Sequence, residues 1–275
     1  MTAPSGRITI HVRGPVRVHD YQAPPDGLLV HSVIVEGPTR LVLFDAQFLL
    51  APAAELADYI ASLGKPLERI IISHGHPDHW SGLEVIAQRF PGVPIAALPA
   101  VRDEIAANGQ AIMTARRAIF GPRVAAGPVV PTLSLAPGAL EIDGVRYLLE
   151  AHEEAESRHQ LVATLPDQGM LLAFDLVFPA DVHAFTVAGH FDHWIAVLDD
   201  LATRPFETLL VGHGGPARRA DIAATIAYLR TARDIHASST TPDDYAARLK
   251  AAFPHLSESG WVDFASLMLY GVINP

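Results

Sequence analysis

No cysteine occurs among the 275 residues, so disulfides and thiolate metal sites are excluded, although this does not fix the compartment. No stretch approaches the roughly 18 uninterrupted apolar residues that a membrane span needs. The first residues, Met1-Thr2-Ala3-Pro4-Ser5-Gly6, lack the charged-then-apolar pattern of a leader, and a cytoplasmic protein without membrane partners is expected. Charge is sparse, at 18%, and its balance is −10 with histidine neutral. No run of Lys or Arg offsets that balance, so nucleic acid is a poor partner. A short repeat and a low-complexity linker are also missing. What remains is 49% hydrophobic, which argues for a folded chain with a substantial core.

Along the chain, Ile8, Ile10 and Val12 alternate with polar partners, as in a half-exposed strand. Strands are expected at 28–35 and 40–45, with a turn at 36–39 between them. Leu56, Tyr59, Ile60 and Leu63 mark a helix over 52–63, stopped by Gly64 and Pro66. The run Arg69-Ile70-Ile71-Ile72 reads as a buried strand and 80–90 as a helix. A strand at 93–98 leads into 99–120, one long helix or two short ones broken near Asn108-Gly109. A Gly/Pro-rich loop follows to 131, and 99–131 together looks like a helical insertion able to cover a site. Its Arg116, Arg117 and Arg123 suit an anionic substrate or a solvated helix face. Strands at 140–149 turn at Asp143-Gly144, and 161–165 and 170–174 form a second hairpin. A helix at 191–202, a strand at 206–211 and a mostly helical segment from 217 complete an α/β pattern. One two-sheet domain over 1–275 fits it better than two domains.

The densest chemistry lies in Ser73-His74-Gly75-His76-Pro77-Asp78-His79-Trp80. It sits between a buried strand and a helix, where α/β proteins place functional loops. His74 and His76 are two residues apart, so an extended backbone projects both to one side. Asp78 and His79 fall near the helix start and face a second point. One short loop thus offers ligands for two metal ions.

This loop resembles the His-x-His-x-Asp-His signature of the metallo-β-lactamase superfamily. The resemblance implies a four-layer αββα sandwich of two mixed β-sheets. It also implies further ligands. His213, in Val211-Gly212-His213-Gly214, matches the family's last ligand, and Asp175 matches its bridging carboxylate, with Phe174 in place of the usual glycine. Asp45 matches an aspartate that steadies the metal loop, but Asp45-Ala46-Gln47 replaces the usual Asp-Thr-Gly. A helix cap or turn is the other reading of Asp45. No Gly-His-Thr supplies the remaining ligand. Position relative to Asp175 favours Glu156, as in alkylsulfatase-like branches, while imidazole chemistry favours His152. His159 is a third candidate, and Glu153 and Glu154 read as solvated.

The resemblance therefore implies two divalent ions, zinc first, with iron or manganese as alternatives. His74, His76 and Glu156 would hold one ion and Asp78, His79 and His213 the other, with Asp175 between them. A metal-bound hydroxide would attack a small ester, lactone or thioester. Asp78 or Asp175 would handle the proton. His183, His190 and His193 follow the bridging position, and His183 is the first catalytic candidate among them. His11, His19, His31, His236 and His255 have no cluster context and read as surface or core residues. Rival functions are sulfuric-ester hydrolysis, an iron- and oxygen-using member of the fold, and a metal-stabilised binding domain. The partner is a small molecule, and a homo-oligomer is compatible with the sequence.

Overall fold

The computed structural model describes residues 5–273. The first four residues of the stretch read for a leader lie outside them. The chain divides into two compact units, Met1–Ala151 with His159–Met170, and His152–Arg158 with Leu171–Pro275. Two β-sheets and helices make up the fold, so the expected α/β class with two mixed sheets is found.

The first unit opens with strands β1 (Arg7–Arg13), β2 (Val16–Gln22), β3 (His31–Glu36) and β4 (Leu41–Phe44), all antiparallel neighbours. Every residue of β3 and β4 is buried, as expected of strands covered on both faces. Helix α1 (Leu50–Ser62) then crosses to β5 (Leu67–Ile71), which runs parallel to β4. The short α2 (Pro77–Trp80) and α3 (Leu83–Arg89) lead to β6 (Ile95–Ala97), and α4 (Pro99–Phe120) leads to β7 (Leu133–Ser134). These are parallel strands joined by helical crossovers. The seven strands lie in sequence order, so the chain segments leaving β4, β5 and β6 share one edge of the sheet. Strands β8 (Gly138–Ile142), β9 (Val145–Glu153) and β10 (His159–Leu165) follow.

In the second unit β11 (Met170–Phe174) precedes α5 (Phe191–Thr203) and β12 (Thr208–Val211). Helices α6 (Arg219–Ser238), α7 (Pro242–Ala252) and α8 (Ser259–Leu269) end the described chain. The five-stranded sheet has the order β12-β11-β10-β9-β8.

Several boundaries differ from the sequence expectation. The strand expected at 28–35 begins only at His31, because Leu28 and Leu29 turn through the left-handed region. β2 was not expected at all, although Val16 and Val18 alternate with exposed Arg17. The single helix over 80–90 is broken at Ser81-Gly82, where Gly82 N–H donates to the Gln47 carbonyl at 2.8 Å. A β-carbon on Gly82 would sit 2.0 Å from the Ala46 carbonyl oxygen, so only glycine lets the two segments meet. β1 is a strand as expected, but its apolar residues do not form a covered face: no residue of it is buried, and Ile10 and Val12 are 50% and 57% exposed. The turn at Asp143-Gly144 holds too, both residues having positive φ. Asp143 also accepts from Thr39 and Arg40 and thereby fixes the β3–β4 turn.

The choice between one helix and two at 99–120 is settled by packing. α4 is continuous through Asn108-Gly109, and Gly109 lies on its buried stripe with Val101, Ile105 and Met113. The glycine admits the following loop: a β-carbon there would lie 2.8 Å from Pro128 Cβ. Alanine is intrinsically better in a helix by about 1 kcal/mol. Here the rigid proline ring cannot yield, and overpacking costs about 1–3 kcal/mol. Gly109→Ala is thus expected to destabilise the protein by about 1 kcal/mol in urea unfolding, and a more stable variant would refute this packing account.

Candidate metal centre

Strand pairing builds the first half of the centre. Phe44 sits opposite Ile71 in the β4–β5 ladder, and Asp45 N–H donates to the Ile71 carbonyl at 2.9 Å. The end of β4 is therefore beside the start of the histidine loop. Asp45 is 1% exposed, and its carboxylate is fully used. Oδ1 accepts from the Ser73 N–H at 2.8 Å. Oδ2 accepts from the Ser73 hydroxyl and from His79 Nδ1, each at 2.8 Å. A carboxylate only accepts, so His79 carries its proton on Nδ1. The Ser73 hydroxyl donates its one hydrogen to the bond with Asp45, so it accepts from His74 Nδ1, also at 2.8 Å. Both rings therefore have an unprotonated Nε2, the form in which an imidazole nitrogen can ligate a metal. The expected steadying role of Asp45 is what these contacts perform.

The same loop is pinned elsewhere. Trp80 Nε1 donates to the Gly75 carbonyl at 2.8 Å, and Ala46 N–H donates to the His79 carbonyl at 2.7 Å. The His74 ring centroid lies 4.7 Å from that of His76 and 4.2 Å from that of His79. Asp45 and Gln47 hold φ of 60° and 76°, in the region that favours glycine. Gln47 occupies the place where the family pattern has glycine, and its amide donates to Ser32 Oγ and the Val30 carbonyl. Those bonds offset the strain that the side chain imposes.

Glu156, Asp175 and His213 belong to the second unit. Glu156 is fully buried, flanked by buried Ala155 and Ser157 and by exposed Glu153 and Glu154. Two backbone bonds close the turn around it, Glu154 N–H to Arg158 and Ala155 N–H to Ser157. His193 Nδ1 meets the Glu154 carbonyl at 3.1 Å, so this histidine serves the turn. Asp175 follows Phe174, whose φ of 48° is again a glycine-favouring value. Asp175 Oδ2 lies 3.2 Å from His213 Nε2. The backbone thus keeps the shape implied by the resemblance while its side chain departs from the pattern.

Two groups of metal-ligand side chains result. One is His74, His76, Glu156 and Asp175, and the other is Asp78, His79 and His213. Within each, the offered atoms lie within 4.8 Å of one another. Ligands about 2.1 Å from a tetrahedral ion stand about 3.4 Å apart, so this spacing suits a metal after small adjustment. Two buried carboxylates in one group also require cationic compensation. All seven residues expected as ligands fall in these groups, and His152 and His159 fall in neither.

His183 falls in neither group; it is 1% exposed, with Nδ1 3.0 Å from the Tyr228 hydroxyl. His19 and His31 are buried core residues paired with Glu36 and Asp20. The three arginines of the insertion divide. Arg117 donates to the Val124 carbonyl and Arg123 pairs with Asp26. Arg116 stands one turn beyond buried Met113 on α4, and there burial pushes its pKa down while the Asp78 charge opposes that shift. It is half-buried.

Comparison with known proteins agrees with this geometry. A family model described as the metallo-beta-lactamase superfamily matches residues 25–213. A metallo-beta-lactamase from Pontibacter korlensis is similar in structure, with TM-score 0.64 and 21% identity, over 82% of this chain and 99% of that one. The metallo-beta-lactamase FIM-1 from Pseudomonas aeruginosa, in a mono-zinc form, has TM-score 0.61 and 17% identity, over 84% and 97% of the two chains. At such identities the likeness concerns the fold. An uncharacterised Bacillus subtilis protein, YobT, is 36% identical over 62 residues, which span 22% of this chain and only 26% of that protein. Among the described residues, no helix is long and apolar enough to cross a membrane.

His183 gives a prediction about pH. Burial, then the charges of Lys250 and His255, push its pKa from 6.5 to about 4. The unfolded chain therefore binds more protons between those values, and stability falls as pH drops from 6.5 towards 4. His183→Asn is expected to flatten this fall by on the order of 1–3 kcal/mol in urea unfolding with chelator present. An identical pH profile in the variant would contradict a neutral His183.

Proposed function

Because this chain belongs to the metallo-β-lactamase superfamily and carries two groups of metal-ligand side chains, we propose that it is a metal-dependent hydrolase of small esters, lactones or thioesters. The observation that carries this reading is the burial of Glu156 and Asp175 beside His74 and His76. Two carboxylates and two imidazoles whose ligand atoms lie that close form a donor set for a divalent cation. His74, His76 and Glu156 would hold one ion, Asp78, His79 and His213 a second, and Asp175 would lie between them.

Bound there, such ions supply Lewis acidity and an acidified water. The chain's own residues do the rest. Asp45 keeps the His79 ring in its ligating tautomer directly, and the His74 ring through Ser73. Asp78 is half-buried whereas Asp175 is buried, so proton exchange with solvent is assigned to the Asp78 carboxylate. Zinc is the first choice, supported by the imidazole-rich set and by the zinc form of the structural neighbour FIM-1. The −10 charge disfavours nucleic-acid substrates and favours small molecules. Glu156 in place of an imidazole keeps sulfuric esters as the second reading.

The test joins metal content to turnover. Zinc-reconstituted protein is expected to hold about two ions per chain. It should cleave at least one member of an ester, lactone, thioester and sulfate-ester panel, and chelation should abolish that cleavage. Full metal loading with no turnover on any class would sink the hydrolase reading. Glu156→Ala should lower zinc content by about one ion per chain, while His152→Ala should leave it near the wild-type value. The reverse pattern would move the ligand to His152.

A further inference from the structure

Of the three tryptophans, two are tied into the core. Trp80 is 0% exposed and donates to Gly75, and Trp194 is 2% exposed and donates to the Leu176 carbonyl at 2.9 Å. Trp261, in the first turn of α8, differs. It is half-buried, and among the described residues no acceptor meets its indole Nε1. Its ring stands edge-on to His213, with centroids 5.1 Å apart and planes at 71°. On another side Phe178 stacks parallel to the same imidazole, at 6.1 Å and 9°.

This placement is built into the second unit. Asp181 ties the loop of His213 to the start of α8. Its carboxylate accepts from the Gly215 N–H at 3.1 Å, and its carbonyl accepts from both Ser257 N–H and Ser257 Oγ at 2.8 Å. A β-carbon on Gly215 would lie 2.7 Å from that carboxylate, so the contact depends on glycine. His183 N–H donates to the Ser257 carbonyl at 3.2 Å, adding a second tie. Glu258 then starts the helix with φ of 60° and no side-chain cap. Left-handed backbone at a non-glycine residue persists where its surroundings hold it.

We propose that Trp261 is a specificity-determining residue whose ring receives the apolar acyl chain of a substrate bound at His213. This rests on the hydrolase reading, and deepens it by naming the substrate class. An indole face offers large apolar area with little entropy to lose, and its N–H remains available to a polar atom of the substrate.

p-Nitrophenyl octanoate and p-nitrophenyl acetate, offered to zinc-loaded protein, test the idea. Wild type is expected to prefer the octanoate by roughly tenfold in kcat/KM. W261A should cut that preference by at least about fivefold, with zinc content and acetate kcat/KM unchanged within about twofold. An unchanged preference, or an equal fall for both esters, would overturn the proposal. A second readout needs neither turnover nor a tolerated truncation. Sodium octanoate should shift the tryptophan emission of the zinc-loaded wild type and leave that of W261F unmoved; equal responses overturn the proposal. Fully loaded wild type that cleaves neither ester counts against its esterase activity, whereas the emission shift still decides on Trp261.

Discussion

The Asp45 carboxylate is the constraint on which the centre depends. Three donors converge on it, from a backbone amide, a hydroxyl and an imidazole. Its position follows from the β4–β5 register, and that register follows from two apolar strands that bury all or most of their length. Core packing is thus translated into the tautomers of His79 and His74. Ligands fixed in this way meet an ion without first losing rotational freedom.

Strain gathers at the same places. Asp45, Gln47 and Phe174 are non-glycine residues with positive φ, and they stand beside residues of the two ligand groups. Each costs of order 1 kcal/mol or more. Such residues persist where hydrogen bonds and burial over-determine them, as Gln47 illustrates through Ser32 and Val30. The departures of Gln47 and Phe174 from the family pattern therefore alter side chains while the backbone path stays.

The metal-type residues were legible in the sequence because their chemistry is local. His74, His76, Asp78 and His79 occupy six residues, and Asp175 and His213 each end an apolar strand. Glu156 was legible only by its distance from Asp175, and the turn that buries it emerges from backbone bonds that no residue type announces. β2 was missed because its alternation is brief and His19 and Tyr21 are buried by tertiary partners. Gly109 stayed open between a helix break and a helix interior because glycine's close-approach use depends on Pro128, nineteen residues away. Trp261 carried no signal at all; nothing in the sequence places a C-terminal tryptophan at His213.

Nitrogen-detected NMR of the histidine rings in the metal-free protein near neutral pH tests the central claim most directly. If Asp45 sets the centre, His74 and His79 both carry their proton on Nδ1 and leave Nε2 bare. A protonated Nε2 with bare Nδ1 in either ring would contradict the hydrogen-bond relay through Ser73 and Asp45.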